Sequence, residues 1–169
     1  MDYVIPAPEQ VSIAIVGESK RFPVRRIFCV GRNYVAHIRE MGGDERDPPF
    51  YFCKPTDAIV PTGGSIDYPP QTGNFHYEME LVAAIGKGGA NISEANALDH
   101  VYGYATGLDM TRRDVQIAHR EKGRPWAMGK GFDQSAPCGD IHPVSEVGHF
   151  PEGNLWLKVN GETKQDSDL

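Results

Sequence analysis

Cysteine, long apolar runs and clustered basic residues are all scarce in this sequence, and each shortage removes a class of protein. Cys29, Cys53 and Cys138 are odd in number, widely spaced and outside any Cys-x-x-Cys pattern. Neither a disulfide framework nor a zinc site is expected from them, and they read as small core residues. No apolar run approaches the roughly 20 residues that span a bilayer, and the N-terminus lacks a charged start followed by an apolar core. The expectation is a cytoplasmic chain without a membrane partner. The formal net charge is -6 with no Lys/Arg run, which argues against a nucleic-acid partner, because phosphate neutralisation needs a basic stripe. Disorder is excluded on composition: 40% hydrophobic residues over a length of 169 supply a sizeable core for one domain.

What is present is turn chemistry and one acidic strand. Nineteen Gly and thirteen Pro, spread along the chain, fit short strands joined by many turns. Residues 74–87 read as a single β-strand. Alternate residues share a face, so His76, Glu78, Glu80, Val82 and Ala84 form one side, and Phe75, Tyr77, Met79, Leu81, Ala83 and Ile85 the other. The second side is apolar throughout and reads as the core side. Glu78 and Glu80 stand about 6–7 Å apart along such a strand, close enough to share one cation that offsets their repulsion. Asp109, at the end of a glycine-containing apolar strand over residues 101–108, adds a third carboxylate. Hard oxygen donors favour Mg²⁺, Mn²⁺ or Ca²⁺ over zinc. On spacing alone, a solvated strand face explains a Glu-x-Glu pair as well as a metal site does, and both readings stay open.

Elsewhere the pattern predicts strands over residues 11–16, 22–24 and 26–30, then a short helix over residues 33–41 between Asn33 as N-cap and Gly42-Gly43 as stop. His37 and Glu40 lie on one face of that helix and are either an acid–base pair or an exposed hydrogen bond. Residues 43–75 are rich in Pro and Gly and read as loop and short strand. A short helix is expected over residues 93–98. Glycines in the 101–108 strand imply close backbone approach. Thr111 and Asp114 have capping-box spacing, predicting a helix over residues 112–122 with Arg113 and Gln116 on one face. Lys130 sits between two glycines in an expected loop, and Asn160-Gly161 predicts a hairpin over residues 155–165.

Five ordered runs tie these residues together: Gly31-Arg-Asn-Tyr-Val-Ala-His-Ile-Arg-Glu-Met-Gly42, Lys54-Pro55, His76-Tyr-Glu-Met-Glu80, Leu108-Asp-Met-Thr-Arg-Arg-Asp-Val-Gln116 and Gly129-Lys-Gly-Phe-Asp133. Their types and order resemble the fumarylacetoacetate hydrolase family, within it the acylpyruvate hydrolases, and the fumarylpyruvate hydrolases of gentisate breakdown look most alike. The resemblance implies an α+β, β-rich fold, a mixed roll or sandwich of strands with short outer helices. It implies that Glu78, Glu80 and Asp109 hold a divalent cation, usually Mg²⁺, and that His37 with Glu40 activates a water. Lys130 would stabilise oxyanion charge, and Arg113 and Gln116 would contact the carboxylate and oxo groups of a small anionic dioxo acid. Arg32, Tyr34 and Lys54 lie in matching motifs, the first two counted as substrate-binding. The implied reaction is hydrolysis of a carbon–carbon bond in a 1,3-dioxo acid by a homodimer. Oxaloacetate decarboxylases and isomerases share the acidic trio, and a catalytically silent binding fragment is the reading from another class. Family members continue past the hairpin with a glycine-rich loop that contributes to the site, so the expectation is one catalytic domain over residues 1–169 that stops short of the family's C-terminal part.

Overall fold

The computed structural model describes residues 2–31 and 49–169. The helix expected over residues 33–41 and the candidates Arg32, Tyr34, His37 and Glu40 lie outside the described residues.

Strands β1 (Ser12–Ala14) and β2 (Arg21–Pro23) pair antiparallel, as do β3 (Ile27–Gly31) and β4 (Phe50–Lys54). After β5 (Ile59–Pro61), the acidic segment gives β6 (Phe75–His76) and β7 (Met79–Ile85). A helical turn α1 (Glu94–Ala97) then leads into β8 (Val101–Leu108), the longest strand among the described residues. Next come β9 (Thr111–Arg112), helix α2 (Arg113–Glu121) and the single turn α3 (Ala127–Lys130). The remaining elements are β10 (Ala136–Cys138), β11 (His142–Pro143), α4 (Val144–Val147) and the hairpin strands β12 (Asn154–Val159) and β13 (Glu162–Asp168). The expected strand-rich mixed fold with short helices is what the structure shows, and among the described residues its sheets are not closed into a barrel.

β8 is the spine of the main sheet. It pairs antiparallel with β7, β10 and β11, while β10 continues parallel to β5. Ile13, Val24, Ala84, Ala105 and Ile141 pack together from five separate segments, with Val82, Tyr102 and Ile59 against them. The close approach expected at the β8 glycines is real. A Cβ on Gly103 would lie 2.4 Å from the carbonyl oxygen of His142, so β11 seats on β8 only because no side chain intervenes.

Four local expectations need correction. The acidic segment is two strands, because Asp109 N donates to Glu78 O (2.8 Å) and Arg113 N to Asn74 O (2.8 Å). These bonds turn β6 away to pair with β9. The side carrying Glu80, Val82 and Ala84 is the core side, whereas Ile85 on the more apolar side is 58% exposed. The capping box does not form at α2: Thr111 Oγ1 donates to Asp109 O (3.0 Å), and Asp114 accepts from Thr72 Oγ1 (2.5 Å) and Gly73 N (2.9 Å). Lys130 ends a helical turn and is not in a loop. The hairpin turn is as read, with Asn160 and Gly161 at φ of 53° and 86°, the conformation that a two-residue turn of this kind requires.

Candidate active site

The bond from Asp109 N to Glu78 O that splits the acidic segment also fixes the site, since it locks the end of β8 beside the start of β7. Glu78, Glu80 and Asp109 therefore emerge together at the open end of the core. Lys130 reaches them from α3. A Cβ on Gly129 would stand 2.9 Å from the N and Cα of Gln116, so glycine is what lets α3 lie against α2 and carry Lys130 inward until it is 3% exposed.

The charges form one network. Lys130 Nζ donates to Glu78 Oε2 (2.7 Å) and Asp109 Oδ2 (2.6 Å). Arg113 Nη2 donates to the other Glu78 oxygen, Oε1, its Nη1 to Gln116 Oε1 (3.0 Å), and its Nε to His76 Nδ1 (3.4 Å). Lys54 Nζ lies 2.8 Å from Asp109 Oδ1 and donates to the carbonyls of Met110 (3.1 Å) and Lys130. The ion pair is not aligned as a hydrogen bond, and Asp109 Oδ1 stays buried without one. The ring of Phe52 lies 5.2 Å from the Lys130 ammonium, closing one side with apolar surface.

Two carboxylates two residues apart are pushed in opposite directions. Burial raises the Glu78 carboxyl, but Lys130 and then Arg113 outweigh burial and hold it below its ordinary value. Glu80 makes no hydrogen bond among the described residues; burial, then the charges of Asp109 and Glu78, push it up to about 7. Burial likewise lowers the Lys54 ammonium against the pull of Asp109. The Cys29 thiol, on the neighbouring strand β3, is pushed up to about 12 by burial and next by Asp109.

Among the described residues no three His, Cys, Asp or Glu side chains converge into a set that encloses a metal ion; Lys130 bridges Glu78 and Asp109 instead. The donor chemistry nevertheless fits a hard divalent cation. It is all carboxylate oxygen, with Glu80 unpaired among the described residues and Asp109 Oδ1 buried without a hydrogen bond. A cleft of about 610 Å³ opens elsewhere, between residues 8–11, 25–27 and 53–57. It shares only Lys54 with the cluster.

Of the residues singled out from sequence, Glu78, Glu80, Asp109, Lys130, Arg113 and Gln116 are brought together, while Arg32, Tyr34, His37 and Glu40 lie outside the described residues. Lys54, which the motifs left without a role, is at the centre. The signal was a lysine closing the apolar run Phe50-Tyr-Phe-Cys-Lys54, in strand register with Phe52. No helix among the described residues is long and apolar enough to cross a membrane.

Comparison with known proteins shows the family. The model of the fumarylacetoacetate hydrolase C-terminal family matches residues 26–169. A fumarylpyruvate hydrolase from a Ralstonia species is 50% identical over 120 residues, covering 71% of this chain and 62% of the relative. The mitochondrial oxaloacetate tautomerase of Homo sapiens is 43% identical over 144 residues, covering 85% of this chain and 65% of the relative. The chain thus spans less than two thirds of the curated relatives it matches. Among solved structures, fumarylpyruvate hydrolase from Pseudomonas aeruginosa, in complex with Mn²⁺ and pyruvate, superposes with a TM-score of 0.94 at 56% identity. That match covers 99% of this chain and 74% of the other.

Proposed function

This chain belongs to the fumarylacetoacetate hydrolase family, and from that premise we propose that it hydrolyses the carbon–carbon bond of an acylpyruvate, fumarylpyruvate to fumarate and pyruvate. The observation that carries the reading is the partly buried cluster of Glu78, Glu80 and Asp109 with Lys130 and Arg113, in a chain so similar to a hydrolase whose structure holds Mn²⁺ and pyruvate.

In this proposal Glu78, Glu80 and Asp109 hold a divalent cation, Mg²⁺ or Mn²⁺, which supplies Lewis acidity for the negative charge released on the pyruvyl side. Arg113, already oriented by Glu78 and Gln116, anchors the substrate carboxylate, where a guanidinium gives two parallel hydrogen bonds. Gln116 is 2% exposed and orients the oxo end. Two of the three Lys130 donors go to Glu78 and Asp109; the third, without a partner among the described residues, serves a substrate oxygen on which charge develops, in a setting poor in water. His37, kept basic by Glu40, takes the proton from the attacking water. Arg32 and Tyr34 complete the substrate contacts. The same reading makes the protein a cytoplasmic homodimer of aromatic-compound breakdown, with residues 1–169 as one catalytic domain.

The test is fumarylpyruvate with Mg²⁺ or Mn²⁺, following loss of its absorbance and release of pyruvate. Cleavage at a rate abolished by chelation is expected. A folded chain that binds the cation but leaves acylpyruvates intact sinks the reading. Similarity to an oxaloacetate tautomerase favours one alternative, tautomerisation or decarboxylation of oxaloacetate, and turnover of that acid alone decides for it.

A further inference from the structure

Lys54, at the end of β4, is 4% exposed, less than the 8% of Asp109. Its ammonium is the meeting point of three oxygens from two distant segments: the carbonyls of Met110 and Lys130, and Asp109 Oδ1. An ammonium has three N–H donors. Two are given to the carbonyls, and its charge pairs with Asp109 Oδ1 at 2.8 Å without an aligned hydrogen bond, so the buried ammonium is committed to protein oxygens. Lys130, by contrast, gives two donors to carboxylates and has a third without a partner among the described residues. The chain after Lys54 adds to the hold: a Cβ on Gly131 would rest 3.4 Å from Pro55 Cδ, so the turn that ends α3 lies directly on the Lys54-Pro55 corner.

We propose that Lys54 is a positioning residue, which holds the Asp109 carboxylate and the peptide of Lys130 in the one arrangement that serves both cation binding and the substrate-facing ammonium, without touching substrate itself. The inference rests on the function proposed above. Its physical basis is that Asp109 and Lys130 sit on separate elements, 21 residues apart, and a third element holding both removes the freedom of each to turn away.

Lys54→Met removes the ammonium and keeps the stem. On the full chain, with folding checked by circular dichroism, Mn²⁺ binding is read by calorimetry and fumarylpyruvate cleavage by steady-state kinetics. The expected result is a loss of about 10- to 100-fold in Mn²⁺ affinity. With it kcat falls while KM stays within about threefold. Lys54→Arg, which restores charge and donors, recovers part of both. Wild-type Mn²⁺ affinity in Lys54→Met overturns the proposal. So does a raised KM at unchanged kcat, which would make Lys54 a substrate contact. If Lys54→Met does not fold, Lys54→Gln, whose amide still donates to one carbonyl, is judged by the same two measurements. The calorimetric arm needs no turnover. Wild-type chain that binds Mn²⁺ without cleaving fumarylpyruvate therefore refutes the proposed reaction and leaves the hold on Asp109 still measurable.

Discussion

The two sides of β7 make an instructive pair. Glu80, Val82 and Ala84 face the core and the charged cluster, and Ala84 is 7% exposed; Ile85, on the side with Leu81 and Ala83, is 58% exposed. The more apolar side is the outer one. The reason lies across the sheet, where Gly103, Ala105 and Gly107 of β8 stand opposite Ala84, Val82 and Glu80. Small residues there let other strands close over the inner side. The β12–β13 hairpin lies beside β7, where Gln165 Oε1 accepts from Met79 N (2.8 Å). The carboxylates are thus continuous with the core, and the burial of Glu78 and Asp109 is offset by Lys130, Lys54 and Arg113.

The largest contrast between the sides is expected in catalysis. Lys130→Met, on the inner side, should lower kcat for fumarylpyruvate by about 10²- to 10³-fold, the usual effect of removing a donor to developing oxyanion charge. Gln165→Ala, on the outer side, should leave kcat within about twofold, since it touches only a strand edge. Equal losses would break the distinction.

Stability should follow the same division, with a smaller spread. Ala84→Asp puts an unpaired carboxylate among Ile13, Val24 and Ile141 and should cost about 3 kcal/mol or more in urea denaturation. The same change at Ile85 should cost about 1 kcal/mol, the scale of strand preference at an exposed position. A larger loss at Ile85 would restore the more apolar side as the core.

The smallest effect concerns Asp114, a carboxylate on neither side. Hydrogen bonds from Thr72 and then Gly73 hold its carboxyl below the ordinary 3.8. A depressed folded value means that its stabilisation is complete above the unfolded value and is lost as pH falls through the folded one. Asp114→Asn should therefore flatten the fall in stability below about pH 4 and change little at pH 7. An unchanged acid limb in a urea-by-pH series would remove Asp114 from the acid response.

Much of the framework was legible because its causes are local. The strand over residues 101–108 matches β8 in both ends, and the helix expected over residues 112–122 appears as Arg113–Glu121. Asn160-Gly161 turns the terminal hairpin because those two residues tolerate positive φ. The order of the motifs carried the family and the candidates Glu78, Glu80, Asp109, Lys130, Arg113 and Gln116. Other features depend on contacts that no window of sequence contains. The break at Tyr77 and Glu78 needs the Asp109 peptide, 31 residues further on, as donor. The inner side of β7 is chosen by small residues on β8 and by strands that come later in the chain. Lys54 is placed by carbonyls 56 and 76 residues away. Periodicity and turn chemistry determined which segments are strands, helix and hairpin, since each depends on near neighbours along the chain. Tertiary structure alone decided which side of the acidic strand is buried and which lysine holds the carboxylates, because both are settled by where desolvated charge finds its partners.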